Sequence, residues 1–318
     1  TYYLSAAEGG TGPNHSQVIF RSDDPWGPYK PWEENPILTQ RHLDEDREFP
    51  IAYTGHADMV ETQNGEWWAV FLGVRPYEGH FFNTGRETFM LPVSWKDGWP
   101  VILERDKEVP YVVQKPDLPQ QPKPEIPHSG NFSFIDEFNG EELKNYWVFI
   151  RTPDTKWYSL SEKSGGVRIK ARRDKISGLG QPSYIGRRQQ HQYASAATAM
   201  TYQPEKPGDA AGLAAFQSEQ FYYFMKITLN EHGKTVIQLE KKAGNEAEVV
   251  ASESLELTDA KPVYLKITAK GKEYDFQYAT DKDNWKILAE NEDGTILSTQ
   301  IAGGFVGTTF GMYAESGN

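Results

Sequence analysis

At 318 residues, with 38% hydrophobic and 25% charged side chains, the chain has the size and balance of two globular domains. A formal net charge of −12 argues against a nucleic-acid partner and against an anionic membrane surface, because both need clustered Lys and Arg. The absence of cysteine rules out disulfides and thiolate metal sites, and no run of about 18 apolar residues is present to cross a bilayer. Aromatic residues make up 13%, and 20 Pro and 28 Gly punctuate short apolar runs, a balance that predicts strands and turns over long helices.

The chain opens on TYYLSAA, Thr1 to Ala7, an apolar β-rich run with no Met. It reads either as a strand entered partway through a protein or as a processed or artificial terminus. Strand signals follow at Tyr2–Ala6, Val18–Arg21, Ala57–Glu61, Trp67–Leu72, Glu87–Trp95 and Tyr111–Val113, with Gly, Pro, Asn and Asp between them. Residues 1–115 therefore form a first β region. At four strands and roughly 40–50 residues per propeller blade it amounts to a little over two blades, which cannot close a ring. Residues 116–130 carry five prolines in fifteen positions and read as a linker or a surface strap.

Residues 131–318 resume with strand signals at Trp147–Arg151, Val167–Ala171, Ala194–Tyr202, Ala211–Ala215, Tyr222–Leu229, Thr235–Lys241, Val263–Lys270, Glu273–Thr280 and Phe305–Tyr313. Runs such as VYLKITAK alternate apolar with polar, the period-two pattern of a sheet with one face on a core. Two antiparallel sheets packed face to face are expected, a β-sandwich.

Four segments carry residues with possible chemistry. In AEGGT, Glu8 precedes two glycines that leave room for a ligand; the plain alternative is a surface Glu before a turn. In TGHADMV, His56 is a metal ligand, a sugar donor or simply a satisfied histidine. In GRETFMLPVSW, Arg86 either joins Glu87 in a surface ion pair or grips vicinal hydroxyls with its planar fork. In GGFVGTTFGMY, the glycines around Phe305 make either a close-approach loop or a bulged core strand. No phosphate-binding glycine loop, HExxH or GxSxG is present.

Taken in order, YYLSAAEGGTGPNHSQVIFRSDDPWGPY, NPILT, TGHADMVETQNGEWWAVFLGVRP, GRETFMLPVSWKDGWPVI, FIDEFNGEELKNYWVFIRTP, RRQQH, YDFQYATDKDNW and GGFVG resemble glycoside hydrolase family 43 over nearly the whole chain. The likeness is to its β-xylosidases and α-L-arabinofuranosidases with a C-terminal sandwich. The resemblance implies an all-β fold, the C-terminal part of a five-bladed β-propeller followed by a jelly-roll or concanavalin-like sandwich. It implies an inverting, exo-acting glycosidase that releases xylose or arabinose from plant cell-wall oligosaccharides of the xylan or arabinoxylan type. Glu8 matches the general acid, His56 a central histidine near a bound cation or its waters, and Arg86 a sugar-holding arginine. Phe305 matches an aromatic that the sandwich extends to wall off the pocket. Asp136 and Glu137, in FIDEF, match positions where the sandwich of relatives holds calcium, so Ca2+ is the one cofactor expected.

The family's Asp general base and its pKa-tuning Asp lie upstream of AEGGT, and Asp23, Asp24, Asp44, Asp46 and Asp58 match neither. The resemblance therefore implies an N-terminal propeller segment as a missing partner, and little or no hydrolysis by this chain alone. An alternative is a non-catalytic carbohydrate-binding or interaction module, whose many Trp and Tyr would stack on sugar faces.

Overall fold

The computed structural model describes residues 1–127, 129–258 and 261–317. Two compact units are present: one takes in Thr1–His80 and Arg86–Phe132, the other Phe81–Gly85 and Ser133–Asn318. The proline-rich strap thus belongs to the first unit, where Asp117 donates its N–H to Glu66 Oε2 at 2.9 Å and accepts from the Asn64 amide. A five-residue piece from the middle of the first β region belongs to the second.

Among the described residues the first unit holds strands β1 (Tyr2–Glu8), β2 (Ser16–Ser22), β3 (Lys30–Pro31), β4 (Leu38–Thr39), β5 (Ala52–Glu61), β6 (Trp67–Val74), β7 (Glu87–Lys96) and β8 (Trp99–Val101). They form two four-stranded sheets. In the first, β1 pairs with β2, whose other edge is shared by β3 and β4. Prolines at 25, 28, 31 and 36 keep that outer segment from running as one strand, since each lacks an N–H. The second sheet is a simple meander, β5-β6-β7-β8. Its inner face (Ala69, Phe71, Leu91 and Val93) joins Ile19, Ile37 and Leu38 of the first sheet in one apolar cluster.

Tyr111–Val113, expected as a strand, is not one. Pro110 immediately precedes it and has no N–H to offer, and the Val109 N–H before that is taken by the Gln40 side chain at 3.1 Å instead of by a ladder.

The second unit begins with the two-residue strands β9 (Tyr158–Ser159) and β10 (Arg168–Ile169), then β11 (Ser183–Arg188), β12 (Tyr193–Met200), β13 (Ala210–Ser218), β14 (Phe221–Leu229) and β15 (Thr235–Ala243). It continues with β16 (Glu248–Ser254), β17 (Val263–Lys270), β18 (Glu273–Ala279), β19 (Lys286–Asp293), the single helical turn α1 (Thr299–Ala302) and β20 (Thr309–Glu315). A six-stranded sheet in the order β11-β20-β13-β14-β15-β16 faces a four-stranded sheet, β12-β17-β18-β19. Between them lie Tyr223, Met225, Ile227, Ile237, Leu239, Leu265, Ile267, Tyr274, Phe276 and Tyr278. The alternation in β17 and β18 is the one read from the sequence: Val263, Leu265, Ile267 and Ala269 point inward, and so do Tyr274, Phe276 and Tyr278.

β14 is different: seven of its nine residues are buried. Its second face, Tyr222 and Phe224, packs with Ile176, Tyr184, Phe216 and Tyr313 in a separate cluster. A sheet covered on both sides reads as a continuous apolar run, which FYYFMKITL is.

Three sequence-derived strands are corrected here. Trp147–Arg151 makes only the isolated bridge Val148↔Gly186, Val167–Ala171 shrinks to β10, and the last strand starts at Thr309, not Phe305. β11, β16 and β19 have no counterpart in the sequence reading. β16 is a mostly exposed edge whose Glu and Ser residues hide its period.

The outer face of the β5–β6–β7 meander leaves apolar side chains in solvent: Val60 is 59% exposed, Val70 42% and Met90 39%. Val70 lies directly opposite Met90 in the ladder, so they form a contiguous patch of the kind that seeks cover. This polypeptide should self-associate with rising concentration in sedimentation velocity. Val70→Lys combined with Met90→Lys should suppress that while leaving the thermal midpoint in place; unchanged association would show that the patch is inert.

Candidate active site

The site in the first unit is built where β1 ends, β2 begins and β5 departs from regular pairing. β1 and β2 run in register to Glu8↔Ser16. Between them the chain turns through Gly9 and Gly10, both at positive φ, and His15 N–H closes on Gly12 O at 3.0 Å. The Ser16 hydroxyl donates to Glu8 Oε1 at 3.2 Å, and an Arg41 guanidinium nitrogen lies 3.8 Å from the same oxygen. The Glu8 side chain is 49% exposed, so that ion pair adds little to stability. Its effect is directional: both partners address one oxygen and leave the other open.

β5 carries the second element. Its pairing with β6 slips between Ala52 and Gly55 and again between Gly55 and Asp58. Tyr53 and His56 sit at φ 53 and 55, backbone states that non-glycine residues seldom hold. Such irregularities re-aim side chains at functional sites. The ladder groups released at Ala57 are recovered by Gln17 of β2, itself 2% exposed. Its Oε1 accepts the Ala57 N–H at 3.0 Å, and its Nε2 donates to Ser5 Oγ at 2.7 Å and to Ala57 O at 3.4 Å.

His15 lies at the centre of this arrangement, 2% exposed, and sequence reasoning gave it no role. Its Nδ1 is 3.0 Å from Tyr53 O, so the neutral ring carries its proton on Nδ1 and leaves Nε2 as an acceptor. The ring occupies the space a side chain at position 55 would need: a Cβ there would be 2.6 Å from Nε2. The glycine of TGHAD is thus dictated by His15. Burial lowers the His15 pKa from the ordinary 6.5; the Tyr53 carbonyl opposes this, while the charges of Arg86 and His56 add to it. Arg86 and His56 are therefore both within electrostatic reach of one imidazole. The only earlier sign of it was Asn14-His15 just after AEGGT.

Arg86, partly buried, immediately precedes β7. The neighbouring Glu87 is gripped by Arg75, with Nε to Oε1 at 2.9 Å and Nη2 to Oε2 at 2.6 Å. In the second unit Phe305 lies in the loop between α1 and β20 and is 55% exposed. The bulged-core-strand alternative for Phe305 is thereby set aside; the aromatic of that run that fills the core is Phe310, 7% exposed.

Asp136, which the resemblance pairs with Glu137 at a calcium position, is engaged by protein donors. Asp136 Oδ2 accepts from Tyr146 Oη at 2.7 Å and Trp147 Nε1 at 2.9 Å, and Oδ1 accepts from Phe138 N at 2.8 Å. Burial disfavours its charge, but these donors and Lys144 outweigh burial and hold the carboxyl below its ordinary 3.8. Among the described residues no three His, Asp or Glu side chains gather to hold a metal, at His56 or elsewhere.

Comparison with known proteins adds to this geometry. A family model described as Glycosyl hydrolases family 43 matches residues 1–100, and one described as Beta xylosidase C-terminal Concanavalin A-like domain matches residues 135–318. A Bacteroides ovatus protein named non-reducing end alpha-L-arabinofuranosidase is 36% identical across 100% of this chain and 57% of its own length. A Vibrio xylan 1,3-beta-xylosidase is 34% identical across 94% of this chain and 56% of its own. The crystal structure of a family 43 protein from Bacillus licheniformis superposes with a TM-score of 0.87 at 33% identity, covering 100% of this chain and 60% of that one. The chain thus spans between 56% and 60% of the length of these relatives.

Two outcomes follow from the site itself. The unfolded chain keeps His15 near 6.5 while the folded chain holds it lower, so the unfolded state binds more protons between those values. Stability of the first unit should be full above 6.5 and fall as pH drops through the window below it. Urea titrations between about pH 5 and 8 should show this slope, and His15→Gln should flatten it. Gln17→Ala strands buried backbone groups at Ala57 and should cost about 1–3 kcal/mol in the same titrations.

Proposed function

This chain belongs to glycosyl hydrolases family 43, and we propose that it supplies the general acid and the sugar-holding groups of an inverting, exo-acting pentosidase. The substrate class is a xylan- or arabinoxylan-type oligosaccharide with a terminal xylose or arabinose. The observation that carries the reading is the address of Ser16 and Arg41 to a single oxygen of Glu8. With Oε1 so engaged, Oε2 carries the proton toward a glycosidic oxygen. The nearby Arg41 charge then stabilises the carboxylate left behind. The two glycines that follow Glu8 put no side chain in the way of a sugar ring.

Arg86 presents a planar fork suited to a pair of vicinal hydroxyls. His56, exposed on its irregular strand, lines the floor beneath the ring, and burial keeps His15 from adding a positive charge there. An inverting hydrolase also needs a carboxylate about 6.5–9.5 Å from the acid to activate water. The family resemblance assigns that base to no Asp of this chain, so the proposal gives the chain the acid half of the pair.

The test supplies the other half by fusing the upstream blades of the Bacteroides ovatus relative ahead of Thr1. The chimera should release pentose from xylo- and arabino-oligosaccharides. Glu8→Gln should lower kcat by about 10²–10⁴-fold on oligosaccharides, and far less on aryl pentosides whose leaving group needs no proton. An oligosaccharide rate that survives Glu8→Gln would remove the acid assignment. Pentose binding with no hydrolysis by the unaltered chimera would favour a binding module instead.

A further inference from the structure

The second unit grips the chain immediately ahead of Arg86. Asn83 is 2% exposed there, and its Nδ2 donates to Tyr274 Oη at 3.0 Å and Gly294 O at 2.8 Å. The Tyr274 hydroxyl donates on to Gln189 Oε1 at 2.5 Å, Gln189 N–H to Thr308 O at 2.9 Å, and Thr308 N–H back to Asn83 O at 2.7 Å. The circuit is closed, and a closed buried network is the kind that fixes one geometry. Phe82 extends the grip, accepting from Thr299 N at 3.1 Å and donating to Gln300 Oε1 at 3.2 Å.

Two residues beyond Asn83, Gly85 and Gly307 meet backbone to backbone, at φ +68 and +79. A Cβ on Gly85 would lie 2.6 Å from the Val306 carbonyl carbon, and one on Gly307 would lie 2.4 Å from that of Thr84. Neither position admits a side chain without moving main chain. One glycine opens GRET and the other closes GGFVG, so the contact joins the first residue of one motif to the last of the other within the second unit. On the other flank of Arg86, Glu87 is held by the Arg75 fork.

We propose that Asn83, together with the Gly85–Gly307 contact, is a positioning element for Arg86. A long guanidinium can meet two hydroxyls at once only if the backbone that delivers it is stationary, and slack at residue 85 is magnified at the tip. The sandwich unit removes that slack by holding residues 81–85 as part of its own polar core. This rests on the reading of Arg86 as the sugar-holding arginine.

The experiment uses the full chain with Asn83→Ala, Gly307→Ala and Arg86→Ala, singly and combined. Hydrogen exchange of residues 84–87 and titration with D-xylose and L-arabinose are the readouts. Asn83→Ala and Gly307→Ala should each speed exchange at residues 84–87 about tenfold, leave β14 protected, and weaken pentose binding about tenfold. Neither should weaken binding further once Arg86 is Ala, because a residue that acts only through Arg86 has nothing left to act on. Unchanged exchange at residues 84–87 would overturn the proposal, as would losses that add to that of Arg86→Ala. Pentose affinity untouched by Arg86→Ala alone would instead remove the sugar-holding reading, while the exchange data still judge the pinning.

Discussion

Strand pairing along β5 breaks twice within seven residues, and the backbone groups this releases at Ala57 must be satisfied away from water. Gln17 meets that need with its side-chain amide, accepting and donating as a strand neighbour would. The rest of the candidate site hangs on this substitution of side chain for ladder. With the ladder regular, His56 would follow the period of its strand, Tyr53 would keep an ordinary φ, and the Tyr53 carbonyl would not be turned toward His15. An unmet buried amide costs about 1–3 kcal/mol, comparable to the strain of holding two residues at positive φ. The irregularity persists because its main polar cost is cancelled.

His15 converts that local geometry into an electrostatic one. Its ring fills the space that makes residue 55 a glycine, and its proton is fixed on Nδ1 by Tyr53. Burial lowers its pKa, so it adds no positive charge beside Arg86. Glu8 keeps solvent on one side and Arg41 and Ser16 on the other. None of these contacts is a strong stabiliser, and their value lies in orientation.

In the second unit the apolar core and the polar anchors divide the work. Tyr223, Met225, Phe276 and their neighbours supply burial between the sheets, while β14 is covered on its other face as well. The opening FIDEF segment is held by polar and aromatic contacts: Asp136 ties Tyr146 and Trp147, and the Arg187 guanidinium lies 4.1 Å from the Phe134 ring centroid and 4.5 Å from that of Tyr146. The Asp136 carboxylate thereby acts as a clasp between two aromatic side chains.

The sequence by itself determined the all-β class and the alternating strands of the sandwich, and it singled out Glu8, His56, Arg86 and Phe305 as candidates. Those features are local: a period of two or a short motif is carried by adjacent residues. It left hidden the edge strand β16, whose polar residues show no buried face, and the start of β20, because Phe305 and Phe310 look alike until one is seen exposed and the other packed. Only tertiary structure decided that Gln17 completes β5, that His15 dictates Gly55, and that residues 81–85 are built into the sandwich unit. Each of these joins positions far apart in the chain through a hydrogen bond or a backbone contact. Such pairings leave no period or composition in either partner, since a glutamine that plugs a bulge and one that faces water are written with the same letter.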